Sequence, residues 1–207
     1  FVAGKTVLDA GCWTGYGSNM LASRARRVSG IDLSSEAIDY CRAHYAAANL
    51  EFVQMDATRL DFHRTFDVAV SFQVIEHLPD PGMFLMSLKQ AVVPGGTILL
   101  ATPNVRTPRT GDAANPFHCS EMSYQALHTL LAKHFSSFRI LGIGHAKPNK
   151  LRTFICKSPL YRLGRHLRRG SVVKRLADKT LDLTSFHVIS ERVSEDAMDL
   201  IAVCENG

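Results

Sequence analysis

The sequence lacks most of what marks a secreted, fibrous or membrane-spanning protein. Its five cysteines, Cys12, Cys41, Cys119, Cys156 and Cys204, are odd in number, widely spaced and never in a Cys-x-x-Cys pair. That pattern suits reduced thiols better than a disulfide framework or a zinc site, so a cytoplasmic compartment is expected. No apolar run approaches the roughly 20 residues that cross a bilayer, and Phe1–Lys5 does not form a signal peptide. The histidines lack the spacing that would place two ligands on one helical face, so no metal is expected. There is no internal repeat and no low-complexity tract.

What is present is a chain of 207 residues, 46% hydrophobic, of a size for one domain with a real core. The reading is therefore a single domain over 1–207. The chain opens on a strand pattern with no helix before it, which raises the expectation of a further N-terminal segment. Charge is uneven: 11 of the 24 basic residues but one of the 19 acidic residues fall between His145 and Thr180. The body is thus net acidic, and a basic insertion at about 145–195 precedes the last strand.

Short runs rich in Val, Ile and Leu recur at Thr6–Asp9, Val28–Asp32, Glu51–Met55, Phe66–Phe72 and Thr97–Ala101, with helical periods between them. This alternation predicts a doubly wound, Rossmann-like α/β sheet, mostly parallel. Ser34 is placed to cap a helix over Ser35–Ala47, and Asp80-Pro81 to start another. Pro94-Gly95-Gly96 turns the chain into the fifth strand. A helix over Ser120–Phe135, a strand at Phe138–Ile143 and an antiparallel last strand at Asp199–Cys204 complete the pattern.

In such a sheet, ligands bind beyond the carboxyl ends of the strands, and every candidate motif falls there. After Val7-Leu8-Asp9 comes Gly11-Cys12-Trp13-Thr14-Gly15-Tyr16-Gly17, whose glycines permit a tight turn and close approach of backbone N–H groups to a ligand. The spacing Gly-x-x-x-Gly-x-Gly is not the Gly-x-Gly-x-x-Gly of dinucleotide binders, and Gly4-Lys5-Thr6 precedes its strand, which excludes a P-loop. Taken alone, the loop also reads as an ordinary turn between strand and helix. Asp32, ending the second strand, is placed to accept hydrogen bonds from two ribose hydroxyls, though a helix-capping Asp is the plain alternative. Asp56-Ala57, ending the third, could meet an adenine edge.

Together, Val7–Gly17, Ile31–Leu33, Asp56-Ala57, Phe66–Leu78 and Leu88–Asn104 resemble successive motifs of the class I S-adenosylmethionine (SAM)-dependent methyltransferases, closest to the ubiquinone-biosynthesis-like branch. The resemblance covers roughly Phe1 to Ile143. It implies that Asp9, Gly11, Trp13, Gly15, Gly17, Asp32, Leu33, Asp56, Ala57 and Gln73 form the cofactor site. The glycines would hold the methionine end, Asp32 the ribose, Leu33 and Ala57 the adenine faces, and Asp56 its amino group. SAM would be the cofactor and S-adenosyl-L-homocysteine the product. Trp13 departs from the pattern, standing where the family usually has glycine: a bulky residue adopts a positive φ only at a cost, and its ring must cover the cofactor or point away.

Methyl transfer needs alignment and exclusion of water, with a base only where the nucleophile carries a proton. His118, in Asn115-Pro116-Phe117-His118, is the preferred base and His77 the second candidate, because both fall on ligand-side loops. Glu76 is expected to orient a loop or the cofactor's amino group. The expected acceptor is a small molecule, methylated at oxygen. Methylation of a nucleic acid is the alternative that the basic segment suggests, but it is disfavoured: that segment carries one Tyr and one Phe for stacking, and Thr102-Pro103-Asn104 is not the Asn/Asp-Pro-Pro-Tyr/Phe loop of base-amine methylation. A non-catalytic module of the same fold is the other alternative. Ser158–Arg169 reads as a basic amphipathic helix, with Leu160, Leu163 and Leu167 at helical spacing beside Arg162, Arg165, Arg168 and Arg169. It is expected to act as a lid for an anionic acceptor, or as a peripheral membrane contact for a lipid-linked one; a solvated face is the plain reading. The oligomeric state is left open.

Overall fold

The computed structural model of the chain describes residues 1–105, 119–145, 186–189 and 197–207. His118, the basic segment from Ala146 to Thr180 and the expected helix at Ser158–Arg169 lie outside the described residues. Five strands run parallel: β1 (Thr6–Ala10), β2 (Arg27–Asp32), β3 (Leu50–Gln54), β4 (Phe66–Phe72) and β5 (Val92–Pro103). Three antiparallel strands extend the sheet, β6 (Ser137–His145), β7 (Phe186–Ile189) and β8 (Asp199–Glu205), giving the order β3-β2-β1-β4-β5-β8-β6-β7. The doubly wound α/β expectation holds, and so does the antiparallel last strand. β7, paired with β6 from Gly142↔Ile189 to His145↔Phe186, was not anticipated, because it lies within the stretch read as an insertion.

Side chains alternate between the two faces as the pleat requires. Leu8, Ala69, Ile98 and Leu100 face one core, with Phe84, Leu85 and Leu88 of α3 (Pro81–Ala91) and Leu127 and Leu131 of α4 (Tyr124–His134). Val7, Val28, Val68, Val70 and Leu99 face the other, against Leu21 and Ala22 of α1 (Tyr16–Ala22). α2 (Ser35–His44) seals a third cluster of Cys12, Ile38, Cys41 and Phe52. The caps are those the sequence indicates: Ser34 Oγ accepts from the Ala37 N–H (3.1 Å), and Asp80 Oδ1 from the Met83 N–H (3.0 Å). Each such cap is worth about 1 kcal/mol.

Several boundaries move for tertiary reasons. α2 stops at His44, three residues short of Ala47, because the chain must turn so that the Asn49 amide can donate to the Ala22 and Ala25 carbonyls (2.8 and 3.1 Å). α4 starts at Tyr124, not Ser120; the Ser120 N–H and hydroxyl instead donate to the Glu76 and Leu78 carbonyls (2.9 and 2.8 Å). α1 starts at Tyr16, two residues before Ser18. The link from β3 to β4 contains no helix; it is an Asp56 turn followed by Leu60, whose N–H donates to Ser87 Oγ (2.9 Å). β5 begins at Val92 and absorbs Pro94-Gly95-Gly96 as a bulge, since Phe66 pairs with Val92 and Val68 already with Thr97.

β1 lies between β2 and β4. The chain winds outward from β1 to β3 and then returns to the other side of β1, so the strand order reverses at β1/β4. The loops after β1 and β4 flank that crevice.

Candidate active site

The first loop is a folded unit before any ligand is considered. The Gly11 and Cys12 N–H groups both donate to the Ile31 carbonyl (2.8 Å each), and the Gly15 N–H closes the turn on the Cys12 carbonyl (2.8 Å). Gly11 and Gly15 have φ of 85° and 74°. Crowding as well as φ demands glycine there: a Cβ on Gly11 would lie 2.3 Å from Val74 Cγ2, and one on Gly15 would lie 2.7 Å from Cys41 Sγ and 2.9 Å from the Phe52 ring. The backbone of the first loop therefore packs directly on the loop after β4 and on α2.

Trp13 adopts the positive φ that its position requires, at 46°, and its indole is 67% exposed. A non-glycine residue there costs roughly 1–2 kcal/mol. Compensation comes from both sides of its backbone: the N–H donates to Asp32 Oδ2 (2.9 Å), and the carbonyl accepts from the Cys41 thiol (3.1 Å). Asp32 Oδ1 accepts from the Ser34 N–H (3.0 Å). Two backbone donors thus fix the carboxylate at the end of β2 while each oxygen keeps lone-pair capacity.

Asp9 lies buried beneath the loop and accepts from the Ser18 hydroxyl (2.6 Å). Burial pushes its carboxyl up to about 6; the Ser18 bond opposes the shift and the Asp32 charge adds to it. Gly17 packs against Asp9, where a Cβ would come 3.5 Å from Oδ2. At the end of β3, Asp56 Oδ1 accepts from the Thr58 N–H and hydroxyl (2.8 Å each), bonds that hold its carboxyl below the usual range. Ala57 is half-buried against the core, whereas Leu33 is 69% exposed beside Asp32.

The loop after β4 completes the edge. Phe72 is 52% exposed, Gln73 has φ 59°, and its N–H donates to the Ala101 carbonyl (2.8 Å). Ile75–His77 forms a 3₁₀ turn whose His77 is exposed and whose Glu76 is fully buried. Glu76 Oε2 accepts from the Thr102 hydroxyl (3.0 Å), while Oε1 has no partner among the described residues. Asn104 anchors the end of β5, its amide donating to the Ala197 carbonyl (3.0 Å).

The candidate cofactor residues therefore converge on one edge of the sheet. A cationic, hydroxyl-bearing ligand fits the residues present: carboxylates at four places along the edge, a buried Glu76 oxygen without a donor among the described residues, and backbone that admits only glycine at positions 11 and 15. Of the two candidate bases, His77 stands on this edge. Phe72, Ser18 and Thr102 also belong to the site or its support. Sequence reading passed over them because a single aromatic or hydroxyl carries no motif.

Residues 8–100 match the family model described as a methyltransferase domain. A probable S-adenosylmethionine-dependent methyltransferase of Mycolicibacterium smegmatis is 38% identical over 131 residues, 62% of this chain and 51% of that protein. The ubiquinone biosynthesis O-methyltransferase of Pseudomonas paraeruginosa is 34% identical over 112 residues, 52% of this chain and 48% of that protein. The chain thus spans about half the length of the curated relatives it matches. In fold, it is similar to an S-adenosylmethionine-dependent methyltransferase from Mesorhizobium loti, with a TM-score of 0.62 at 18% identity over 99% of this chain and 92% of that one. The domain match, the homologues and the strand order agree: residues 8–100 carry a methyltransferase domain whose homologues are named SAM-dependent methyltransferases, and the sheet has the fold of that class.

Proposed function

We propose that the protein transfers a methyl group from SAM to a small-molecule acceptor, at oxygen. The observation that carries this reading is Asp32, fixed by the Trp13 and Ser34 N–H groups at the end of β2 and facing the Gly11–Gly15 loop. When bound, SAM supplies an electrophilic methyl on a sulfonium centre. The chain's own residues do the rest. Asp32 would accept the ribose hydroxyls, Leu33 and Ala57 would flank the adenine, Asp56 would take its amino group, and Gly11, Gly15, Gly17, Asp9 and Gln73 would surround the methionine end. Carboxylates along one edge favour a cation over an anion at contact distance.

Acceptance at oxygen is supported by the likeness to a ubiquinone biosynthesis O-methyltransferase. His77 on the loop after β4 and His118 are the groups proposed to take the acceptor's proton, His118 first. The cationic composition of His145–Thr180 supports an anionic or lipid-linked acceptor, met by Arg165, Arg168 and Arg169. Titration calorimetry with S-adenosylhomocysteine tests the cofactor half of this reading: wild type is expected to bind at micromolar levels, and an absence of heat and of thermal shift would overturn it. Tritium transfer to phenolic acceptors tests the rest. Transfer that survives both His77→Ala and His118→Ala would remove the base, and binding without transfer to any acceptor would favour a non-catalytic module.

A further inference from the structure

Cys12 and Cys41 come from different elements and are remote in sequence, yet the fold packs them into one buried cluster with Ile38 and Phe52 beneath the Gly-rich loop. Cys12 follows Gly11 in the loop, and its carbonyl accepts the Gly15 N–H that closes the turn. Cys41 lies on α2, fully buried, and donates its S–H to the Trp13 carbonyl at 3.1 Å. Its sulfur is also the atom that a Cβ on Gly15 would strike first. One sulfur is thus part of the loop and the other is the surface on which the loop rests.

We propose that Cys12 and Cys41 form a redox-convertible dithiol, and that its oxidation to a disulfide distorts the Gly11–Gly15 loop and opposes cofactor binding. The oxidant required is a low-molecular-weight disulfide such as oxidised glutathione. Cys12, the more exposed of the pair, gives up its proton and attacks the glutathione disulfide; a mixed disulfide forms and the first glutathione leaves as a thiol. Cys41 then loses its proton and attacks the Cys12 sulfur, forming the Cys12–Cys41 bond and expelling the second glutathione. Two protein thiols are oxidised, one external disulfide is reduced, and the two S–H protons end on the two glutathione thiols.

The geometry sets the consequence. A disulfide requires the two sulfurs to close from packing contact to about 2.05 Å with a dihedral near 90°. It also removes the S–H that supports the Trp13 carbonyl. The Trp13 N–H, on the other side of the same residue, is one of the two donors that fix Asp32, so the strain passes directly to the ribose carboxylate. Burial pushes both thiols up, and the Asp9 and Asp32 charges add to this at each. Thiolate is therefore scarce while the loop is closed, and exchange proceeds through loop opening. A cofactor that holds the loop shut slows the exchange. By linkage, a disulfide that weakens cofactor binding tenfold requires the cofactor to favour the dithiol by the same factor, about 30 mV for a two-electron couple.

The coupling to cofactor rests on the SAM reading above, whereas the dithiol chemistry does not. The test is equilibration of the Cys119→Ser/Cys156→Ser protein in glutathione redox buffers, with three readouts. Peptide mapping should show the Cys12 peptide joined to the Cys41 peptide, with loss of two hydrogens. Emission from Trp13, the single tryptophan, should change with the same midpoint. S-adenosylhomocysteine should bind the oxidised form roughly tenfold more weakly and shift the midpoint toward the dithiol. Cys41→Ser, which keeps a donor to the Trp13 carbonyl, should lose every response to oxidant. Failure to form the cross-link, or a cross-link to Cys204 instead, would overturn the proposal. So would a Cys12–Cys41 bond that leaves Trp13 emission unchanged. If the reduced protein gives no heat with S-adenosylhomocysteine, the SAM reading fails, and mapping and emission still decide the dithiol.

Discussion

The two edges of the parallel sheet are built from the same strands but satisfy their polar groups differently. At the amino edge the charges pair with one another near the surface. Arg26 donates to the Thr6 hydroxyl and stands 3.9 Å from Asp67, while Arg27 and Ser29 share Glu51 (2.8 and 2.6 Å). The groove there, about 700 Å³, is lined by Thr6, Arg26, Arg27 and Glu51 of these groups, together with Asn49 and Leu50. At the carboxyl edge, carboxylates are held by backbone N–H groups or lie buried, one Glu76 oxygen lacks a partner among the described residues, and two non-glycine residues, Trp13 and Gln73, take positive φ, against one, Arg64, at the amino edge. A protein keeps strain and unmet hydrogen bonds only where the surrounding structure over-determines them, which is the usual condition of a ligand site. The amino edge pairs its charges with one another; the carboxyl edge keeps a buried carboxylate oxygen without a partner among the described residues.

A matched pair of glycine substitutions is expected to break this comparison most sharply. Gly15→Ala meets both a positive φ and two close contacts, so about 1–2 kcal/mol of backbone strain adds to about 1–3 kcal/mol of overpacking. Gly4 has a similar φ of 69° but nothing within 4 Å of a Cβ, so Gly4→Ala should show the first cost alone. Urea unfolding of the two variants checks the difference, and equal losses would mean that the first loop is no more constrained than the amino edge.

The pH dependence should follow Asp9. A carboxyl raised on folding from 3.8 to about 6 stabilises the native state below its unfolded pKa, and that stabilisation is lost as pH rises through about 6. A shift of this size is on the order of 3 kcal/mol. Asp9→Asn should therefore flatten the stability profile between these two values, and Ser18→Ala should extend the sloping region upward, since the Ser18 bond opposes the shift. Thermal melts across that range measure both; an unchanged profile in Asp9→Asn would assign the titration to another group.

Asp32→Ala should weaken S-adenosylhomocysteine by about 1.5–3 kcal/mol, the worth of hydrogen bonds to a charged acceptor, with a smaller change in folding stability. It should also lower the Asp9 pKa, because the Asp32 charge contributes to raising it. Calorimetry and the same melts read the two effects, and unaltered affinity would displace Asp32 from the ribose site. The smallest effect is expected at the amino edge. Breaking the exposed Arg27–Glu51 pair with Arg27→Gln should cost no more than about 1 kcal/mol and leave cofactor affinity untouched, and a loss of affinity there would show that the edges are coupled.

How much of this was legible in the sequence differs from element to element. The five parallel strands could be placed because each contains a short run rich in Val, Ile, Leu or Phe, and α3 because Asp80-Pro81 and its apolar face agree. The start of α4 could not, because the Ser120 backbone is claimed by Glu76, a partner 44 positions away along the chain. β7 was missed because Phe186–Ile189 is only four residues long and falls within the stretch read as an insertion. Asp9, Gly11, Gly15, Gly17 and Asp32 could be grouped as candidates because strand ends in this fold share one edge.

The sequence by itself determined the alternation of strand and helix, the glycine spacing and the order of the motifs, since these depend on local conformational preference and on hydrophobic period. Only the tertiary structure decided that Trp13 would turn through a positive φ, that its N–H would fix Asp32, that Glu76 would be buried with one oxygen unpartnered among the described residues, and that Cys41 would lie under the loop against Cys12. The reason is physical. Such contacts are set by the packing of α2 and of the loop after β4 onto the first loop, and packing joins residues whose distance along the chain carries no pattern of its own.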